Sequence, residues 1–259
     1  MTKIIIDALG ADAGVSMVAS AIKLALKERN FNCVVVGPAS VLKPALGAER
    51  RVEIVDTDVC ISNDESPVFA IRRKKKASLV LAYQRLNSDG DVLLSAGSTG
   101  ALLAGGYFLA KRLPGMERLC LVPTVPHQNG SVLLADSGAT MDTTPLMLLQ
   151  FATISAIYAR KALGKEHPRI GLLNVGAEAE KGDKRAVEAY RLLQESPLNF
   201  VGNIEARDVL FADYDVLVAD GFAGNVALKS MEGTAQFVLK TLKNVLYENW
   251  KTKMGGLLI

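Results

Sequence analysis

Short polar residues and glycines follow five apolar stretches of this chain, a pattern that could build an anion site. In the clearest case, Asp215–Asn225, the apolar run Val-Leu-Val-Ala ends on Asp220 and Gly221, just before a helical pattern. Such apolar runs predict parallel strands buried on both faces, and open α/β sheets bind ligands beyond the carboxyl ends of their strands. The other ends are Asp7 with Gly10 and Asp12, Ser95 with Gly97–Gly100, Asp136 with Ser137–Thr140, and Asn174 with Gly176. We therefore expect the five polar strand ends to line one crevice.

Two glycine loops open predicted helices and could therefore hold a phosphate. They are Ser95–Gly100, with Gly97, Ser98, Thr99 and Gly100, and Asp220–Asn225, with Gly221 and Gly224. A helix start presents unpaired backbone N–H groups and the positive end of the helix dipole. The alternative is that these glycines only permit tight strand-to-helix turns. Neither loop has the spacing of a P-loop or of a dinucleotide-binding fingerprint, so nucleotide hydrolysis and NAD binding are poorly supported.

Two lysines follow predicted strand ends and could neutralise a phosphate. Lys181 lies in the loop after Asn174, and Lys229 lies one helical turn after Asn225. A lysine at such a place acts as a mobile point charge. The alternative for each is a solvated surface lysine.

Nucleophilic catalysis by the protein itself has little support in the sequence. The chain contains no G-x-S-x-G motif, and its two histidines, His127 and His167, lie beside proline or turn residues. Cys60 and Cys120 are more typical of packed thiols than of nucleophiles, and the three cysteines lack the spacing of a disulfide framework or a zinc site. We expect no metal, no cofactor and a reducing cytoplasm.

The elements that position these residues alternate along the chain between helical and strand patterns, which predicts a mostly parallel α/β sheet. We expect a single domain over residues 1–259, or two lobes, with a weak joint at the proline-rich segment Arg112–Asn129. The predicted helices are Met17–Lys27, Val68–Leu86, Gly100–Leu113, Leu146–Leu163, Lys184–Gln194 and Val226–Trp250. Besides the five stretches above, the predicted strands are Cys33–Val36 and Val52–Val55.

Composition excludes several classes of protein. Of the 259 residues, 49% are hydrophobic and 22% are charged, which is typical of a globular domain with a large core. A formal net charge of +3 gives no argument for nucleic-acid binding. The sequence shows neither a secretory signal nor an apolar run of membrane-spanning length, so we expect a soluble protein that at most rests on a membrane surface.

Several of these loops together resemble the PlsX family of phosphate acyltransferases, which make acyl phosphate from acyl-acyl carrier protein and orthophosphate. The resemblance spans nearly the whole chain, with five motifs in family order. They are Ile6–Asp12, Ser95–Ala101, Leu172–Gly176 with Lys181-Gly182, Phe200–Glu205 and Asp220–Val226.

The resemblance implies a Rossmann-like, three-layer α/β/α fold related to isocitrate and isopropylmalate dehydrogenases, a homodimer, and a role in phospholipid synthesis. For this activity, we expect orthophosphate to attack the thioester directly, without a covalent acyl-enzyme. The catalytic candidates are Lys181, Asn225, Asp220 and Lys229. The candidates for binding phosphate or substrate are Asp7, Gly10, Asp12, Gly97, Ser98, Thr99, Gly100, Asp136, Asn174, Gly221 and Gly224.

Three positions depart from the family pattern. Ala11 replaces a glycine, while Ser98 and Thr140 replace asparagines, so two amide side chains are lost. A hydroxyl can replace some of the hydrogen bonds of an amide, but with shorter reach. The family also continues past Lys253–Ile259 into a further segment that is absent from this sequence.

Two surfaces could meet partners. The basic run Arg72–Lys76, or Lys111-Arg112, could dock the acidic carrier protein, although such a run is often a solvated helix face. An apolar stripe formed by Val238, Leu242, Val245, Leu246 and Trp250 is flanked by lysines. In the family this region is implicated in dimer contacts and in peripheral membrane association.

Two other functions stay open. One is a phosphate acetyl- or butyryltransferase that uses acyl-coenzyme A. The other is a non-catalytic relative that binds phosphate or an acyl ligand.

Overall fold

The computed structural model describes residues 1–110 and 113–248. Its contacts divide the chain into two compact units, Met1–Gly115 and Met116–Ile259. The boundary falls inside the proline-rich segment Arg112–Asn129. Lys111, Arg112, Trp250 and the segment Lys253–Ile259 lie outside the described residues.

The first unit is built on a four-stranded parallel sheet with the order β3-β2-β1-β4. Its strands are β1 (Lys3–Asp7), β2 (Asn32–Gly37), β3 (Val52–Asp56) and β4 (Val92–Ser95). Its helices are α1 (Gly14–Glu28), α2 (Ala39–Leu46), α3 (Pro67–Arg73), α4 (Ser78–Asp89) and α5 (Thr99–Phe108).

Helices cover both faces of this sheet because its central strands alternate apolar side chains between the faces. Ile6 and Val35 pack with Ile22 of α1 and Leu42 of α2 on one side. On the other side, β1 and β2 pack against α4. This unit therefore has three layers, as predicted.

The second unit contains a five-stranded sheet with the order β5-β6-β9-β7-β8, in which only the β5–β6 pair is antiparallel. Its strands are β5 (Thr124–His127), β6 (Gly130–Ala135), β7 (Arg169–Asn174), β8 (Asn199–Glu205) and β9 (Val216–Val218). Its helices are α6 (Pro145–Leu163), α7 (Lys184–Glu195), α8 (Gly221–Leu246) and the short 3-10 helix Ala206–Asp208.

This sheet is also covered on both faces. Helices α6 and α7 bury Phe151 and Leu193 against one face. Leu228 and Met231 of α8 pack with Leu134 and Leu217 on the other. The predicted α/β class and its mostly parallel strands are confirmed, but the strands form two sheets.

Three local expectations are wrong. The predicted helix Val68–Leu86 is two helices, because the chain turns at Lys74, whose amine binds the Cys60 carbonyl and the Glu65 carboxylate at 3.0 and 2.8 Å. Helix α2 was missed, and so was β5, which lies inside the segment expected to be only a joint. Prolines at positions 123 and 126 hid β5, which its antiparallel pairing with β6 stabilises.

Helix α8 begins at Gly221, five residues before the predicted start. Its first turn therefore contains the glycines that the sequence argument placed in a loop. No helix among the described residues is both long and apolar enough to span a bilayer.

Gly105 in α5 offers a test of packing in the first unit. A Cβ built there lies 2.2 Å from the Tyr83 ring of α4, whereas one built at Gly233, in α8, meets nothing within 4 Å. We expect Gly105→Ala to lower the free energy of unfolding by about 1–3 kcal/mol through overpacking. The matched change Gly233→Ala should raise it by about 0.5–1 kcal/mol through helix propensity.

Urea unfolding of both variants measures this difference. Equal stability of Gly105→Ala and the parent protein would show that the two helices can separate without cost.

Candidate active site

The carboxylate of Asp136 organises the loop that follows β6. The side chain is fully buried, and its oxygens accept hydrogen bonds from the backbone N–H groups of Leu121, Gly138, Ala139 and Thr140 at 2.6–3.2 Å. A buried carboxylate needs such partners to offset its desolvation. Asp136 therefore fills, with its own side chain, a nest of N–H groups that could otherwise hold an anion.

Helix α8 packs directly onto this loop through its glycines. A Cβ at Gly224 would lie 1.9 Å from the Asp136 carbonyl oxygen, and one at Gly221 would lie 2.6 Å from the Thr140 carbonyl oxygen. Neither site has room for a side chain, so both glycines are required for close approach of backbone.

Three N–H groups at the start of α8 already have partners. The Gly221 N–H donates to the Thr140 carbonyl, the Ala223 N–H to the Asp220 carboxylate, and the Gly224 N–H to the Asp220 carbonyl, each at 2.9 Å. The geometry therefore gives Gly221 and Gly224 a packing role. The helix start is mostly closed to a phosphate.

Asp220 is the N-cap of α8 and also the acceptor of an arginine. One oxygen accepts the Ala223 N–H, and the other accepts Arg185 Nη2 at 2.9 Å. Arg185 lies in the first turn of α7, and its Nη1 is 3.4 Å from Thr143 Oγ1. The sequence analysis did not identify Arg185 as a site residue. Its position at the start of α7, near a strand end, is the one signal that could have pointed to it.

Asn225 faces the same loop. Its Nδ2 donates to the Ser137 carbonyl at 2.9 Å, and Gly138, at φ +137°, leaves room for the amide. Asn225 therefore ties α8 to the loop that Asp136 organises.

Two strand-end amides hold the loop that carries Lys181. Asn174 Nδ2 donates to the Lys181 carbonyl at 2.9 Å, and Asn203 Nδ2, from β8, donates to the Glu178 carbonyl at 2.7 Å. The Lys181 side chain is exposed, and no hydrogen bond or ion pair joins its amine to another residue of the described ranges. The sequence analysis did not select Asn203 as a site residue, although it noted the motif Phe200–Glu205, which contains it.

Lys229 is placed differently. It is exposed on α8, and its amine pairs with Glu232 of the same helix at 2.7 Å. Lys229 is absent from the lining of the groove described below. The structure therefore favours the solvated alternative for this lysine.

In the first unit, two loops beyond the sheet touch backbone to backbone. A Cβ at Gly10, which has φ +87°, would lie 2.9 Å from Gly97 Cα. Ser98 is the N-cap of α5, and its hydroxyl accepts the Ala101 N–H at 3.4 Å. The N–H groups of Thr99 and Gly100 begin the helix with no hydrogen-bond partner in the described part of the chain, so this helix start is open to an anion.

Asp7 lies beneath these loops, at the end of β1. It is buried, accepts a hydrogen bond from Ser95 Oγ at 2.8 Å and accepts the Leu9 N–H at 3.3 Å. Burial raises the pKa of Asp7, although hydrogen bonds from Ser78, Ser95 and Leu9 oppose the shift. Asp12 is exposed nearby in the sequence.

The five strand ends are thus distributed over two sheets. Asp7 and Ser95 end strands of the first sheet, while Asp136, Asn174 and Asp220 follow strands of the second. The expected roles of these residues in binding stay predictions.

The histidine and cysteines fit the structural alternatives. His127 Nε2 lies 2.9 Å from the Ala212 carbonyl oxygen, and the ring packs edge-on to Tyr214. Burial raises the pKa of Cys120 to about 12 and that of Cys33 to about 11, which leaves little thiolate at neutral pH. In the described ranges, no three His, Cys, Asp or Glu side chains cluster as metal ligands would.

A groove of about 1200 Å³ opens beside α8 in the second unit. Its polar end contains Asn174, Gly182, Arg185 and Asp220, so it adjoins the residues described above. The rest of its lining is mostly apolar.

Comparison with known proteins decides the family. The model of a family described as "Fatty acid synthesis protein" matches residues 2–259. Phosphate acyltransferases from Bacillus cereus and Bacillus anthracis are each 43% identical to the chain, over 98% of its length and 78% of theirs. The chain belongs to the PlsX family of phosphate acyltransferases. The predicted resemblance is thereby confirmed, and with it the assignment to the acyltransferase enzymes.

Solved structures support the fold that the family implies. A phosphotransacetylase from Streptococcus pyogenes aligns with TM-score 0.64 at 15% identity, over 91% of this chain and 82% of its own. The EutD phosphotransacetylase from Staphylococcus aureus aligns with TM-score 0.65 at 18% identity, over 91% of this chain and 83% of its own. A 4-hydroxythreonine-4-phosphate dehydrogenase from Burkholderia phymatum aligns with TM-score 0.53 at 20% identity, over 89% of this chain and 84% of its own. The Rossmann-like α/β architecture predicted for this PlsX family member is confirmed.

The buried Asp7 carboxyl makes a prediction for the pH dependence of stability in this PlsX family member. Because the pKa of Asp7 is higher in the folded state than the ordinary aspartate value of 3.8, the unfolded state releases this proton first. The contribution of Asp7 to stability is therefore lost as the pH rises from 3.8 through the folded-state pKa. We expect Asp7→Asn to gain stability relative to the parent protein between pH 4 and pH 8.

Urea unfolding at both pH values measures the difference, with Asp12→Asn as an exposed control. The free energy of unfolding of Asp7→Asn relative to the parent should increase as the pH rises. If this difference stays constant or shrinks, the raised pKa of Asp7 is contradicted.

Proposed function

We propose that the chain transfers a fatty acyl group from acyl-acyl carrier protein to orthophosphate and so makes acyl phosphate for phospholipid synthesis. The observation that carries the proposal is its 43% identity to phosphate acyltransferases over 98% of the chain. Groups in each unit could supply the chemistry. They include a helix start in the first unit and a lysine in the second unit, either of which could hold a phosphate. His127 is paired with a backbone carbonyl, and burial raises the pKa of the Cys60 thiol, so neither side chain is suited to act as a nucleophile.

The reaction we propose is a direct displacement. An orthophosphate oxygen attacks the thioester carbonyl carbon, a C–O bond forms, and the C–S bond breaks. The carrier thiolate leaves and takes up the proton that the phosphate loses. Because phosphate is already an anion near neutral pH, the protein has to orient it and stabilise the developing oxyanion.

Two sets of groups are suited to these tasks. In the first unit, the N–H groups of Thr99 and Gly100 are available to an anion. In the second unit, the Lys181 amine extends from a loop fixed by Asn174 and Asn203, so its position is constrained while its charge stays available. Asp220, Asn225 and Asp136 would position the loops, and Arg185 would balance the charge of Asp220.

The decisive assay follows orthophosphate-dependent loss of the thioester from purified acyl-acyl carrier protein, with the acyl phosphate trapped by hydroxylamine as the hydroxamate. Acyl-coenzyme A of the same chain length is the second donor. We expect product from the carrier-linked donor. Product from acyl-coenzyme A alone would favour a phosphate acetyl- or butyryltransferase. Phosphate or acyl binding without product from either donor would favour a non-catalytic relative.

The carrier partner also predicts a salt dependence. Arg72, Arg73, Lys75 and Lys76 are exposed at the end of α3, whereas Lys74 is engaged by Glu65. Arg72 also stacks over the Phe108 ring, 4.6 Å from its centroid. If this surface docks an acidic carrier, added salt should raise the KM for the carrier. If the KM for the carrier does not change with salt, this surface does not dock the carrier.

We further propose a cytoplasmic homodimer that could associate peripherally with a membrane. Its support is the exposed apolar surface of α8, where Phe237, Val238, Leu242 and Val245 each show half or more of their side chains to solvent. Such a continuous apolar surface is typical of an interaction site. Light scattering tests the dimer, since a monomer at micromolar concentration would contradict it, and vesicle flotation tests the membrane.

Lys181 offers the sharpest mutational test. We expect Lys181→Ala to lower turnover by roughly 100-fold, because one electrostatic contact to the transition state is lost, and to leave the melting temperature unchanged, because the amine is exposed. Lys161→Ala, an exposed lysine of α6, is the control. Parent-like turnover of Lys181→Ala would remove this residue from the mechanism.

A further inference from the structure

The loop between β7 and α7 holds the backbone of Lys181 from both sides. The Lys181 N–H donates to the Glu178 carbonyl at 3.2 Å, and the Lys181 carbonyl accepts Asn174 Nδ2 at 2.9 Å. The Glu178 carbonyl also accepts Asn203 Nδ2 at 2.7 Å, so a side chain of β8 fixes the same point of the loop. Both backbone polar groups of Lys181 are therefore tied, directly or through Glu178, to two neighbouring strands.

The side chain of Lys181 lies over a buried glycine. A Cβ built at Gly176 lies 2.8 Å from Lys181 Cγ, 3.2 Å from Lys181 Cδ and 3.0 Å from Glu178 Oε2. Carbon atoms of neighbouring side chains touch at about 3.5–4.0 Å. Any side chain at position 176 would therefore push the lysine stem out of its place.

The backbone conformation does not explain this glycine. Gly176 does not have a positive φ, so an alanine fits its backbone. Gly182, in the same loop, is different, because it has φ +92° and a Cβ there would lie 2.5 Å from Asn174 Oδ1. The fold of the loop requires Gly182, whereas the position of the Lys181 side chain requires Gly176.

A held stem matters for a lysine that binds an anion. A free surface lysine samples many rotamers and loses that freedom when its amine contacts a ligand. Fixing the backbone and the stem before binding lowers this loss and sets the direction of the charge. The end of the side chain stays exposed, so the amine is still accessible.

We propose that Gly176 and Asn203 are positioning residues for Lys181. Gly176 supplies the surface over which the lysine stem lies, and Asn203 fixes the loop through the Glu178 carbonyl. In this role neither residue contacts the substrate. The inference rests on the proposed function for the task of Lys181, whereas the order of the lysine side chain does not depend on that function.

Gly176→Ala tests the proposal because its expected effects on stability and on turnover differ. The side chains that it displaces are exposed, so the free energy of unfolding should not fall. Turnover should fall by roughly 10–100-fold, because a small misplacement of a catalytic charge is costly, while the KM for the carrier stays parent-like. Gly233→Ala, whose Cβ meets nothing within 4 Å, should leave turnover unchanged.

Double-mutant cycles show whether the effect passes through Lys181. In the Lys181→Ala background, Gly176→Ala should cause no further loss of turnover. Asn203→Leu is the second variant. It removes an amide whose Oδ1 has no hydrogen-bond partner in the described part of the chain, and it leaves the Glu178 carbonyl with the Lys181 N–H. Asn203→Leu should also lower turnover only where Lys181 is present, and additive losses in both cycles would overturn the proposal.

The order of the Lys181 side chain can be measured without turnover. Reductive ¹³C-methylation gives each lysine amine an NMR signal, and the signal of Lys181 is the one absent from Lys181→Ala. We expect this signal to relax faster in the parent than that of Lys161, an exposed lysine of α6, and at the Lys161 rate in Gly176→Ala. If the parent shows this order but makes no acyl phosphate, the proposed function fails and the positioning stands. If Lys181 moves like Lys161 in the parent, the positioning is wrong whatever the turnover.

Discussion

The second unit depends on one buried carboxylate. Asp136 accepts four backbone N–H groups from two segments, and its own carbonyl lies where any side chain at position 224 would have to go. A charge without water is tolerated only when it is fully hydrogen bonded, so the loop is fixed in one arrangement. The start of α8, the Asp220 cap and the contact of Asn225 with Ser137 all follow from that arrangement.

This constraint changes the meaning of the strand-end pattern. Glycines after a strand, with an aspartate beside them, predicted an anion site at the start of α8. In the structure, that aspartate and a neighbouring carbonyl already accept hydrogen bonds from three of these N–H groups, and the glycines allow the helix to touch the loop. Among the described residues, backbone N–H groups without a hydrogen-bond partner lie at the start of α5, and the exposed amine of Lys181 lies on the loop after β7. The long groove beside α8 adds an apolar surface next to that loop.

The sequence predicted seven of the nine strands in the described residues, because each of these seven contains an apolar run, whereas β5 and β8 were not predicted. It also predicted α6 and α7 to within one residue at each end. It failed where tertiary contacts decide. The break at Lys74 depends on Cys60 and Glu65, the strand β5 depends on its pairing with β6, and the early start of α8 depends on the Thr140 carbonyl. Arg185 could not be identified because its meaning comes from Asp220, 35 residues later.

The most direct test of this account compares the stability and the turnover of Asp136→Asn. An asparagine presents an NH₂ group to N–H donors, so we expect the free energy of unfolding to fall by about 2–4 kcal/mol. Turnover per folded molecule should fall as well, because the loop loses its arrangement. Asp142→Asn, an exposed neighbour, is the control. Parent-like stability of Asp136→Asn with loss of turnover would contradict the account, since Asp136 would then act on the substrate itself.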